Sequence, residues 1–137
     1  FDVGGVATLS GGTSMRGSCH CGRTVFELPA GPEWLGECNC SYCRSHGMLW
    51  AYYGASEFQL VSGKEVEGTY LWNSKLVQHR HCTVCACATY SISPTFGATG
   101  PDFSQMRIGV NARLLEGFDI ASVPRRQFDG ASYPRAP

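Results

Sequence analysis

Cys38-Asn39-Cys40-Ser41-Tyr42-Cys43 packs three thiols into six residues, and the rest of the chain has to fold around it. In a C-x-C-x-x-C run a tight turn returns the third side chain to the side shared by the first two, so all three sulfurs can face one point. Three thiolates around a point call for a cation. Zinc is the natural guest: it takes cysteine sulfur at about 2.3 Å in a tetrahedron, and three protein ligands leave a fourth position for water or substrate. Alternatively, a fourth residue closes the tetrahedron and the site is purely structural.

Two further groups complete the eight cysteines: Cys19-His20-Cys21, and Cys82-Thr83-Val84-Cys85-Ala86-Cys87. Disulfide frameworks spread cysteines among distant loops, whereas C-x-C and C-x-x-C pairs are chelate-like, and no secretory signal accompanies them. Metal is therefore expected in place of disulfides. A C-x-C and a C-x-x-C pair, each on a turn between strands, supply the four thiolates of a closed site. Cys19, Cys21, Cys82 and Cys85 meet that description, leaving Cys38, Cys40 and Cys43 as a three-ligand site and Cys87 as the odd thiol. Spacing also allows other partitions, Cys87 completing the central site among them.

The chain of 137 residues is 43% apolar, enough for one core. Its 11 Lys and Arg balance 11 Asp and Glu, so it offers no electrostatic footprint for nucleic acid or an anionic membrane. No apolar run approaches the roughly 18 residues of a membrane span, and the first segment lacks the pattern of a signal peptide. These features predict a soluble, cytoplasmic protein. Residues 1–14, mostly Gly, Ser, Thr and Ala ahead of Met15, read as an expression leader. One domain is expected over 15–130, with a flexible tail over 131–137.

Short strands separated by turn signals predict an all-β domain with the cysteines at strand-turn junctions. Strands are expected at Arg16 to Cys19, Arg23 to Leu28, Trp34 to Glu37 and Met48 to Tyr53, with a single helical turn from Ser41 to His46 ended by Gly47. Phe58 to Val61 and Gly68 to Trp72 read as a hairpin turned at Ser62-Gly63-Lys64. Leu76 to Cys82 enters the third cysteine group and Ala88 to Ser93 leaves it. Pro94 to Asp102, rich in Gly, Pro and Thr, reads as a surface loop. Met106 to Val110 is a further strand, Asn111 to Glu116 a helical turn stopped by Gly117, and Phe118 to Val123 is extended.

Gly17-Ser18-Cys19-His20-Cys21-Gly22, Cys38 to Arg44 and Cys82-Thr83-Val84-Cys85 resemble, in order and spacing, the glutathione-dependent formaldehyde-activating enzyme family, which includes centromere protein V. Leu60-Val61-Ser62-Gly63, Val110-Asn111-Ala112-Arg113, Leu115-Glu116-Gly117 and Phe128-Asp129-Gly130 extend the likeness from about Met15 to Gly130. The resemblance implies a β-tent of twisted antiparallel sheets and two zinc ions per chain. One is structural, on Cys19, Cys21, Cys82 and Cys85; the other is catalytic, on Cys38, Cys40 and Cys43. The implied activity joins formaldehyde to glutathione, or performs the reverse carbon-sulfur cleavage. The chain departs from the family at Cys85-Ala86-Cys87, where Gly and then Thr commonly follow the second cysteine. It is also short, with few residues left over for a dedicated glutathione pocket.

The expected function is that of a zinc-dependent carbon-sulfur lyase acting on, or forming, a thiol adduct of an aldehyde or related electrophile. A small thiol, glutathione among the candidates, is the expected partner, because soft sulfur suits a sulfur-rich zinc site. The rival reading is a non-catalytic zinc module that binds a protein. His46 is the candidate proton carrier, weighed against capping its own turn. Arg44 is the candidate for a substrate carboxylate, weighed against a solvated surface arginine. His20 is expected beside the sulfurs without ligating. His79 and His81, alternating with Arg80, are expected on one side of a strand, at the surface or behind the ligands. Trp50, Tyr52, Tyr53, Tyr70 and Trp72 read as core, with one or two beside the metal. Asn111 and Asp129 read as turn residues.

Overall fold

The structure, a computed structural model, describes residues 14–133. The expected leader lies outside them apart from Ser14, as do residues 134–137 of the expected tail. Among the described residues ten strands and one short helix form, in chain order, β1 (Met15–Ser18), β2 (Val25–Leu28), β3 (Leu35–Cys38), α1 (Ser41–His46), β4 (Trp50–Gly54), β5 (Gln59–Ser62), β6 (Glu67–Tyr70), β7 (Gln78–Cys82), β8 (Ala88–Gly97), β9 (Gly100–Asn111) and β10 (Arg125–Phe128). A small sheet runs β1-β2-β5 and a large one β10-β3-β4-β9-β8-β7-β6. All neighbours are antiparallel except β10, which lies parallel to β3. The expected all-β class with cysteines at turns is what forms. Among the described residues no helix is long and apolar enough to cross a membrane.

The main core joins Phe26 and Leu28 of β2 to Leu35, Ala51, Tyr90, Ile108 and Val110 of the large sheet, all buried. Strand alternation puts Trp50 on the opposite side from Ala51. There Trp50 joins Cys40, Tyr42, Cys43 and Met48 in a second buried cluster around the central cysteines.

Four local expectations are corrected. Phe58 to Val61 and Gly68 to Trp72 do not make a hairpin: β5 pairs with β2 and β6 with β7. The chain changes sheets between them. Gly63, at φ +98, lies so close to β2 that a Cβ would sit 2.6 Å from the Thr24 Cα, and Val66 then accepts from the Thr83 amide at 2.8 Å. Pro94 to Asp102 is not a loop but the tip of the β8-β9 hairpin. Pro94 is tolerated because β7 ends its pairing at Ile92 and a bulge follows Pro94, so no ladder bond requires its missing N–H.

Phe118 to Val123 is not a strand. Asp119 closes a turn there by accepting from the Ala121 and Ser122 amides, while Phe118, Ile120 and Val123 still pack on the core; the strand comes later, as β10. The tail expectation changes for residues 131–133: Gly130–Ser132 is a 3-10 turn, held by the Ala131 amide donating to Asn39 Oδ1 at 2.8 Å.

Candidate functional site

The turn after β1 carries Cys19 and Cys21, Cys82 ends β7, and the turn after β7 carries Cys85. Their four sulfurs lie within 4.8 Å of one another, with Cys19–Cys21 and Cys21–Cys82 separations of 3.6 Å. A tetrahedron of zinc-sulfur bonds has edges of ~3.8 Å, so the spacing fits one such cation. Burial opposes ionisation of Cys19, but the Thr24 amide and the neighbouring thiols Cys21, Cys85 and Cys82 outweigh it and bring the thiol down to about 6. Burial likewise works against Cys85, whose thiol is drawn down by the Cys21 and Cys87 amides and by Cys82. Cys82, fully buried, is pushed up. Because β1 is in the small sheet and β7 in the large one, a metal here would tie the two sheets together. Cys87 joins neither sulfur group.

The central group is set by the start of α1. Cys40 is the helix N-cap, its sulfur accepting from the Cys43 amide at 3.4 Å, so one ligand candidate builds the turn that positions the next. Gly47, at φ +63, ends the helix as expected. Cys38, Cys40 and Cys43 bring their sulfurs within 4.8 Å of one another, with no fourth histidine, cysteine or carboxylate joining them among the described residues. N–H donors converge on the sulfurs: the Cys40 amide on Cys38 at 3.5 Å and the Trp50 indole on Cys43 at 3.2 Å. The Gly130 amide also donates to Cys38. Burial pushes the Cys38 and Cys43 thiols up, and cation binding is what deprotonates such ligands. Donors aimed at soft sulfur, at this spacing, fit a thiophilic ion such as zinc.

Cys40 lines a cavity of about 250 Å³ with Asn39, Arg44 and Gly130. A second cavity, of about 650 Å³, lies along Tyr42, His46, Tyr70 and His81. Ser41, Arg44 and Trp72 line both. Arg44 is exposed. His46 is exposed too, stacked on Tyr42 at 4.1 Å between ring centroids. Its Nδ1 lies 2.9 Å from the Tyr42 carbonyl, so it caps its helix. Since a carbonyl can only accept, Nδ1 carries the hydrogen and Nε2 is the free acceptor.

His20 is exposed and outside both sulfur groups. His79 and His81 depart from simple alternation because a bulge falls between Arg80 and His81. His79 is buried, stacked on the other face of Tyr42 at 3.9 Å, and His81 lines the larger cavity. Burial, with repulsion from His46, lowers His79 to about 4.

Trp50 is among the aromatics of which one or two are expected beside the metal, and its indole N–H serves Cys43. Sequence reading missed two residues that shape the site. Asn39 clamps the turn after β10, its side chain donating to Asp129 at 2.9 Å and its amide to the Phe128 carbonyl at 3.1 Å. Gly130 rests on the Cys38 sulfur and the Cys40 Cβ. The Phe128-Asp129-Gly130 match was a usable signal for both, but nothing local to it shows that β10 returns beside β3. Asn111 and Asp129 are turn residues as read: Asn111 accepts from the Arg113 amide, and Asp129 takes Asn39 and Ser132.

The comparisons agree with this geometry. A crystal structure of a Rhodobacter sphaeroides protein, 29% identical, matches this fold with a TM-score of 0.64 over 82% of this chain and 100% of that one. The family model described as "Glutathione-dependent formaldehyde-activating enzyme" matches residues 14–115, a span holding both sulfur groups. On that match the chain belongs to the glutathione-dependent formaldehyde-activating enzyme family.

Proposed function

We propose that residues 15–130 form one domain that acts as a zinc-dependent carbon-sulfur lyase, cleaving or forming the thiol adduct of an aldehyde or related electrophile, of the S-hydroxymethylglutathione kind. The observation that supports this best is the central group: three sulfurs gathered without a fourth protein ligand among the described residues, with Cys40 lining a cavity. We assign Cys38, Cys40 and Cys43 to a catalytic zinc and Cys19, Cys21, Cys82 and Cys85 to a structural one. When bound, the central zinc supplies a position that holds substrate sulfur as thiolate, a good leaving group.

In the cleavage direction the adduct's hydroxyl proton goes to a base, an oxygen lone pair closes the carbonyl, and the carbon-sulfur pair leaves on sulfur. Protonation of that sulfur completes aldehyde and thiol. His46 is the proposed base, its free Nε2 set by the Nδ1–H bond to the Tyr42 carbonyl. Tyr42, clasped between His46 and His79, keeps the imidazole in place. Arg44 is the proposed partner of a substrate carboxylate.

Exchange NMR on the formaldehyde adducts of glutathione and of 2-mercaptoethanol tests this reading. Zinc-loaded protein should accelerate exchange between adduct and free thiol, His46→Gln should slow it by about 10²-fold, and Cys40→Ala should abolish it. Exchange no faster than in buffer for either adduct would replace the lyase with the protein-binding zinc module.

A further inference from the structure

The two cavities beside the central sulfurs form one groove, since Ser41, Arg44 and Trp72 line both. One end holds Cys40. The other is walled by near-parallel rings: Tyr70 and Trp72 each lie 17° from the plane of Tyr42, at centroid distances of 6.0 and 6.5 Å. Tyr70 is 52% exposed and lines that end. Arg44 lines both ends, one helical turn beyond Cys40. Its guanidinium makes no ion pair or hydrogen bond with another described residue.

The charge pattern selects among thiols. Among the described residues no Asp or Glu lines either cavity, so none of them offers a side-chain anion to an ammonium group, and Arg44 is the one permanently charged side chain of theirs in the lining. Glutathione carries two carboxylates and an ammonium, which this groove does not complement. A flat ring with a single carboxylate matches it at both points: the ring against Tyr70 and Trp72, the carboxylate on Arg44.

Resting on the lyase reading of the same site, we infer that the thiol handled here carries a planar aromatic body and one carboxylate, and that Arg44 and Tyr70 set this preference over glutathione.

Isothermal titration of zinc-loaded protein with 4-mercaptobenzoate, benzenethiol, 3-mercaptopropionate and glutathione tests the inference. Benzenethiol controls for the acidity of an aromatic thiol, and 3-mercaptopropionate for the carboxylate alone. 4-Mercaptobenzoate should bind roughly tenfold tighter than each of the others. Arg44→Gln should bring it to the level of benzenethiol. Tyr70→Ser should weaken both aromatic thiols and leave 3-mercaptopropionate unchanged. Both side chains are exposed, so melting curves should match wild type. Equal affinities for all four thiols, or aromatic affinities unmoved by both substitutions, would overturn this inference and leave the lyase reading standing. Binding of none of them would overturn both.

Discussion

Gly130 rests directly on Cys38: a Cβ built at Gly130 would lie 2.5 Å from the Cys38 sulfur and 3.0 Å from the Cys40 Cβ. The turn after β10 therefore forms one wall of the central group, and Asn39 holds it there through both its amide and its side chain.

Gly130→Ala should displace Cys38 or the turn and cost the central metal while the fold survives, because the main core lies elsewhere. Elemental analysis should find about two zinc ions per wild-type chain and about one in the variant. Two in both would show that the turn yields without disturbing the sulfurs.

The two sulfur groups should fail differently. Cys19 and Cys82 are buried and sit where the small and large sheets meet, so Cys19→Ala or Cys82→Ala should unfold the domain by removing a structural metal. Cys40→Ala should lose one metal and stay folded. Thermal melts in which Cys40→Ala is the most destabilised of the three would reverse the assignment.

The sulfur groups were legible in the sequence because chelation is local: Cys38 to Cys43 and each flanking pair need only a turn of a few residues. The helix from Ser41 to His46 was legible for the same reason, with a cap at one end and Gly47 at the other. Pairing was harder to read. Leu60 and Tyr70 flank a good turn, yet β5 is drawn to β2 by Phe26 and Phe58, stacked 5.6 Å apart, while β6 is drawn to β7 by Glu67 and Arg80. Both attractions are long-range and leave no local trace. The aromatic wall of the groove was half legible, since Tyr70 and Trp72 read as strand residues but their approach to Tyr42 depends on where the helix docks.

His79 sets a pH dependence. Its folded value of about 4 lies below its ordinary 6.5 because burial penalises the cation, with repulsion from His46 adding to it. The unfolded chain then takes up the proton first, so stability is full above pH ~6.5 and falls as the pH drops toward 4, by at most about 1.4 kcal/mol per unit. His79→Gln should flatten the difference in stability between pH 7 and pH 5 relative to wild type in urea titrations. Parallel slopes would show that other groups carry the acid response.

Glu67 and Arg80 form an ion pair at 2.6 Å whose carboxylate side chain is only 3% exposed, and the Tyr90 hydroxyl donates to its other oxygen. Arg80→Met should cost about 3 kcal/mol, because it strands a buried carboxylate. Adding Glu67→Gln to that variant should recover part of the loss by removing the charge. A double variant less stable than Arg80→Met alone would mean that the carboxylate is stabilised by Tyr90 and its surroundings without the arginine.

The proposed open fourth position at Cys38, Cys40 and Cys43 is tested most directly by the absorption spectrum of cobalt-substituted protein titrated with 2-mercaptoethanol. A new thiolate ligand should strengthen the sulfur-to-metal charge-transfer band and shift the visible bands of one of two cobalt ions, and Cys40→Ala should abolish the response. A spectrum that reports four thiolates at both sites before any thiol is added, and ignores it afterwards, would contradict the account.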